Sequence, residues 1–237
     1  EENIEENYQH LISLINLQEI ENSPYEIKSF LYLISNLIDN HYRSINFFKK
    51  IEKIMIALKK IIKTNLSNDE IFKIFKGNKR FLLFLIKSKI IYCDQRIIDI
   101  LGKTKYQEAN YPEYLANQIK NVDKVEINDE INDQKKVEIK QNIGQNDSYV
   151  CHLIRNDLDD EFKQFITEKK ISLNSNIEQS VYETNPFLIN KKLTIIEYAC
   201  FFGSYKIFKY LFQNNAKIEP TIWIYIMHGK NHQIVNF

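Results

Sequence analysis

The stretch Leu193–Ile218, LTIIEYACFFGSYKIFKYLFQNNAKI, decides how the rest of the chain reads. Thr194 stands before a short apolar run, Gly203 interrupts that run, and Ile207, Phe208, Leu211 and Phe212 then recur at the three- and four-residue spacing of an amphipathic helix. Ala199 supplies a small side chain where two antiparallel helices have to approach, and Asn214-Asn215-Ala216 ends the second of them. The stretch therefore predicts two short helices, a tight turn at Gly203 and a following loop. A hairpin of this size cannot bury its apolar face alone, so it predicts copies of itself alongside.

Two copies are recognisable. The next one begins at Thr221 with Thr221-Ile222-Trp223-Ile224-Tyr225, turns at Gly229-Lys230-Asn231 and resumes at Ile234-Val235, an offset of 27 residues. An earlier copy places Ser148 at the Thr194 position and Asp157 at the Gly203 position, with Phe162, Phe165 and Ile166 as its buried side. That offset is 46 residues, which makes Ser172–Lys192 an insertion. The chain reaches Phe237 inside a second helix, so a continuing array is expected.

Upstream, the pattern is also helical. Glu1–Glu21 carries Tyr8, Leu11, Ile12 and Ile15 on one side. Ser23-Pro24 with Glu26 predicts a capping box opening a helix with the stripe Ile27, Phe30, Leu31, Ile34, Leu37 and Ile38. A break at His41–Ser44 leads to the stripe Phe48, Ile51, Met55, Leu58 and Ile62. Ser67 with Glu70 predicts a second capping box, and Gly77 is the expected left-handed end of that helix. GNKRFLLFLIKSKII then reads as the second helix of a hairpin, and Asp94 caps a short helix closed by Gly102. These readings predict an N-terminal helical region over 1–102, a polar and acidic helical spacer or linker over 103–145, and the repeats over 146–237.

Composition narrows the function classes. Of 237 residues, 44% are hydrophobic and 27% charged, with five Gly and four Pro, too little turn punctuation for a sheet-rich protein. The three cysteines form no Cys-x-x-Cys pair and predict neither a zinc ribbon nor a disulfide framework, so a reducing, cytoplasmic setting is expected. No apolar run approaches the ~20 residues of a membrane span. The net charge of +1 conceals an asymmetry: 14 Lys and Arg against 5 Asp and Glu in Glu26–Ile91, and 6 against 13 in Glu108–Glu161. A basic N-terminal half raises nucleic acid or an anionic membrane as an alternative partner.

Gln145–Phe237 resembles the divergent ankyrin-like domain of protist ankyrin-repeat proteins, through GQNDSYVCHLIRNDLDDEF, IEYACFFGSYKIFKYL and WIYIMHGKNHQIV. In that family's T-P-L-H-x-A pattern, Thr194 and Ala199 match, whereas Ile195 replaces Pro and Glu197 replaces His. The Thr–His hydrogen bond closing a typical repeat is therefore expected to be lost. The resemblance implies an all-α fold of helical hairpins stacked as an ankyrin-like solenoid, acting as a protein-interaction scaffold or adaptor. It implies no enzyme activity and no cofactor. Partner contact is expected from Tyr198, Phe201, Phe202, Tyr225 and His228, on first helices whose variable positions face partners, unless the Ser172–Lys192 insertion or the N-terminal helices cover them. His228 and His232 are separated by the predicted turn, so no metal site is expected of them. No Ser/His/Asp or Cys/His arrangement stands out.

Overall fold

The computed structural model describes residues 23–41, 45–119 and 131–237. The predicted helix over Glu1–Glu21, most of the break at His41–Ser44 and the middle of the polar spacer lie outside the described residues. Within them the chain is all-α, with one isolated antiparallel bridge between Asn176 and Thr194. It divides into two compact units. The first runs to Ile143 and takes in Thr184–Pro186; the second comprises Gly144–Glu183 and Phe187–Phe237.

The first unit contains α1 (Pro24–Asn40), α2 (Ile45–Ala57), α3 (Lys59–Asn65), α4 (Asn68–Phe75), α5 (Lys79–Lys87), α6 (Gln95–Leu101), α7 (Thr104–Glu108), α8 (Tyr111–Ile119) and α9 (Ile131–Ile143). In α1, Ile27, Leu31, Ile34 and Ile38 are buried at helical spacing, while Phe30 and Leu37 flank them half-buried. The stripe Phe48, Ile51, Met55, Leu58 and Ile62 is buried throughout, but a turn at Leu58 divides it between α2 and α3. Each fully buried Leu, Ile or Phe contributes roughly 1.5–3 kcal/mol of transfer free energy.

Side chains set the helix starts. Ser67 and Glu70 form the predicted capping box, whereas at Ser23 only the hydroxyl half is made. The charge-assisted bonds from Ser67 and Lys28 hold the Glu70 carboxyl at about 2, well below its ordinary value. Asn78 caps α5 and donates to Asp39 at 2.9 Å, fastening α1 to it. Gly77 departs from expectation. It is not left-handed, and a side chain there would meet nothing.

The helix α9 has no continuous apolar stripe, and Ile139 and Ile143 are exposed. It is held instead by a buried reciprocal pair with α8: the Tyr114 hydroxyl donates to the Gln141 carbonyl at 2.7 Å, and the Gln141 amide donates to the Tyr114 carbonyl at 2.6 Å.

The second unit is three helical hairpins: α10 (Tyr149–Arg155) with α11 (Asp159–Lys169), α12 (Ile195–Phe202) with α13 (Tyr205–Gln213), and α14 (Ile222–Gly229) with α15 (His232–Val235). First helices pack on first helices, α10 on α12 and α12 on α14; second helices pack on second helices, α11 on α13 and α13 on α15. The left-handed turn residues are Asp157, Gly203 and Lys230, at φ 50°, 71° and 52°. Their spacings are again 46 and 27. Lys230, not Gly229, is thus the equivalent of Gly203.

Gly229 has a different role. A Cβ on it would overlap the Cys200 carbonyl oxygen and crowd the Gly203 amide, because α14 crosses the end of α12 backbone to backbone. Replacing Gly229 with Ala should cost about 1–3 kcal/mol of unfolding free energy in urea, the usual range for overpacking against a rigid neighbour. Gly77→Ala, with open space around it, should change stability by less than that. Equal effects of the two substitutions would contradict the close approach.

Candidate functional site

The first-helix face of the second unit is built around one buried carboxylate. Thr194 caps α12 and Glu197 returns the bond: its Oε2 accepts from the Thr194 amide at 2.8 Å and hydroxyl at 2.9 Å. Its other oxygen, Oε1, accepts from the Thr221 hydroxyl at 3.3 Å, at the start of the next hairpin. Only 7% of Glu197 is exposed. The Thr–His bond is absent, and a Thr194–Glu197 pair stands in its place. Glu197 closes its own hairpin and reaches the following one with the same carboxylate.

A second polar centre ties the insertion to the first hairpin. Arg155, at the end of α10, donates through Nη1 to the Asn146 carbonyl at 2.7 Å and to the Tyr198 hydroxyl at 2.9 Å. The Asn146 amide donates to Glu183 at 3.2 Å, and its side chain donates to the Glu178 carbonyl at 2.7 Å. Ser180 adds a bond to Asp147 at 2.7 Å. Backbone bonds from Ile177 to Leu193 and from Ile195 to Ser175 run the insertion alongside the entry to α12. Asn146 begins a glycosylation triplet, Asn146-Asp147-Ser148, yet its amide is buried in this network and closed to a glycan.

The five aromatic candidates fall in one cluster. Tyr198 and Phe202 lie 4.7 Å apart between ring centroids, Phe201 sits edge-on to Phe202 at 5.2 Å and to Tyr225 at 6.5 Å, and His228 is 5.6 Å from Phe201. Tyr198, Phe201 and Tyr225 are buried; Phe202 and His228 are half-buried. Phe187, from the insertion, covers His228 at 4.0 Å, and the Lys191 ammonium sits over the Phe187 ring at 5.5 Å. Sequence reasoning missed Phe187, whose only signal was its place in an insertion of undefined geometry.

The neighbouring α14 exposes Trp223, Ile224 and Met227. By the 27-residue register these match Ile196, Glu197 and Cys200, all buried in α12, on which α14 packs. On the second helices, Phe208 is buried as expected, whereas Phe212 is 43% exposed and edges onto Phe237 at 5.0 Å.

The chemistry of this face is packing and hydrogen bonding. Burial pushes the Cys200 thiol up to about 12 and raises that of Cys151, so both are protonated at neutral pH and unsuited to nucleophilic attack. His228 lies at the end of α14 and His232 opens α15. Among the described residues no group of three or more His, Cys, Asp or Glu is placed to hold a metal ion, and no helix is long and apolar enough to cross a membrane. In the first unit many basic residues are engaged locally: Lys28 pairs with Glu70, Lys73 with Asp69, and Lys59 donates to the Ser88 carbonyl. Compared with known protein families, curated proteins and solved structures, the chain matches none.

Glu197→Ala removes three hydrogen bonds to one buried carboxylate and should lower unfolding free energy by about 2–3 kcal/mol. Glu197→Gln keeps an acceptor oxygen on an isosteric side chain and should recover most of that loss. Urea unfolding of both variants measures the difference; an alanine variant as stable as the glutamine variant would show that the carboxylate does not join the hairpins.

Proposed function

We propose that the chain is a protein-interaction scaffold whose second unit is a short ankyrin-like solenoid. The observation that carries this reading is the shared build of the three hairpins. The left-handed turns Asp157, Gly203 and Lys230 recur at offsets of 46 and 27, the side-chain N-caps Ser148 and Thr194 share the first of these, and first helices pack on first and second on second. A stack of that kind presents a row of equivalent side chains on one face, suited to extended contact with a protein surface.

The partner side of this proposal is the margin of the aromatic cluster. Phe202, half-buried and backed by Tyr198 and Phe201, offers its open edge to a partner, while Phe187 of the insertion covers His228 and Tyr198, Phe201 and Tyr225 are buried behind them. Trp223, Ile224 and Met227 continue an apolar strip along α14. They stand where α12 carries the residues that receive a helix, so the partner they suit is itself helical. Large aromatic side chains held by their neighbours lose little entropy on binding and dominate protein interfaces. The alternative, nucleic acid or an anionic membrane bound through Lys28–Lys89, has less support, because cations of that region are turned to carbonyls, carboxylates and rings of their own unit.

Affinity capture should be run in parallel on the wild-type chain, the double variant Trp223→Ala with Met227→Ala, and Lys50→Gln as a surface control. Proteins retained by wild type and control should fall at least about tenfold on the double variant, the loss expected when two interface anchors are truncated. They should persist at 0.5 M salt. Retention that ignores the double variant, or that disappears with salt and nuclease, would contradict the reading.

A further inference from the structure

We propose that the cleft between α2, α5 and α9 of the first unit binds a small amphipathic anion, an oxyanion head carried on an apolar body. The cleft has a volume of about 410 Å³, within the range of small-molecule sites and far larger than an inorganic anion needs. Its centre is Arg80, in the first turn of α5. The guanidinium stacks 4.1 Å from the centre of the Phe48 ring, and only 9% of the residue is exposed. It forms no hydrogen bond or ion pair with any described residue, although it lines the cleft.

That arrangement calls for an acceptor. A guanidinium presents five N–H donors in a rigid fork matched to carboxylate and phosphate oxygens, and buried donors left without partners are costly. Lys49 and Lys87 line the same cleft, so the charge around Arg80 is positive. The one carboxylate lining it, Glu52, attracts Arg80 at longer range but makes no ion pair or hydrogen bond with it, so the N–H fork of the guanidinium stays available. Lys87 is partly neutralised by Glu138 at 3.2 Å, so Arg80 and Lys49 carry most of the positive charge of the cleft.

The remaining wall explains the apolar body. Leu83 and Phe84 from α5 and the exposed Ile139 and Ile143 from α9 line the cleft beside these charges. The wall formed by α9 is set by the buried Tyr114–Gln141 pair and not by packing in the cleft itself. The site thus lies ready for a ligand with one charged end and an apolar remainder.

The test is isothermal titration calorimetry of the full chain with n-octyl phosphate, inorganic phosphate and 1-octanol. Octyl phosphate should bind one to one and at least about tenfold more tightly than either fragment. Arg80→Gln should weaken it about tenfold or more, the loss of a charge-assisted contact. Because that variant also alters packing on Phe48, Asn142→Asp serves as a second probe: it adds one negative charge at the exposed edge of the cleft without changing side-chain size, and it should weaken binding several-fold. Lys53→Gln, on an exposed position of α2, should leave affinity unchanged. Equal affinity of Asn142→Asp and wild type, or binding of octyl phosphate no tighter than of octanol, would overturn the proposal. So would tighter Arg80-dependent binding to phosphatidylcholine vesicles containing phosphatidic acid than to free octyl phosphate, since that would assign the contact to a lipid surface.

Discussion

Short helices leave more backbone groups unpaired than they satisfy, and the second unit depends on how neighbouring hairpins meet that need. Its helices run from four to eleven residues, too short to persist alone in water. The deficits are covered across hairpins. The Asp157 carboxylate, held out at a left-handed turn, accepts from the Lys206 and Ile207 amides at 3.1 Å each, at the start of α13. Ser204 returns a bond to the Ile154 carbonyl at 2.5 Å, and Asn231 does the same to the Gly203 carbonyl at 2.8 Å. The residue that follows each later turn therefore binds the turn before it. A hairpin removed from this series would expose helix ends on both of its neighbours, so order in the array is cooperative.

Apolar contact and polar contact divide the labour along that series. Phe201, Ile207, Leu211 and Phe162 fill the interior, while Glu197 and Arg155 fix register because each can satisfy its partners in one alignment only. A slip of one residue would leave a buried carboxylate or guanidinium unpaired, which is costly in a low-dielectric interior. The proposed interaction role draws on this rigidity: Phe202 and the exposed strip on α14 are held by a frame whose register is already determined.

Helix positions, caps and turn offsets were legible in the sequence because they follow from local rules. Ser67–Glu70 and Thr194–Glu197 sit at capping-box spacing, and the apolar stripes of α1 and of α2 with α3 show helical periodicity. What was illegible depended on neighbours distant in sequence. Gly229 looked like a turn residue, but its reason is the Cys200 carbonyl opposite. Glu197 looked like a lost histidine, because its second bond comes from Thr221. The packing of Phe187 on His228, the pairing of Gln141 with Tyr114 and the stacking of Arg80 on Phe48 belong to the same class. None has a local signature, since each pairs segments brought together by the fold.

Amide hydrogen exchange at Lys206 and Ile207 tests the cross-hairpin capping most directly. In a helix capped by water alone, first-turn amides exchange almost as fast as in an open chain. Here both should be protected in the wild-type protein and lose that protection in Asp157→Ala, while amides in the middle of α13 stay slow. Fast exchange at both positions in the wild-type protein would contradict a stack held together by one hairpin capping the next.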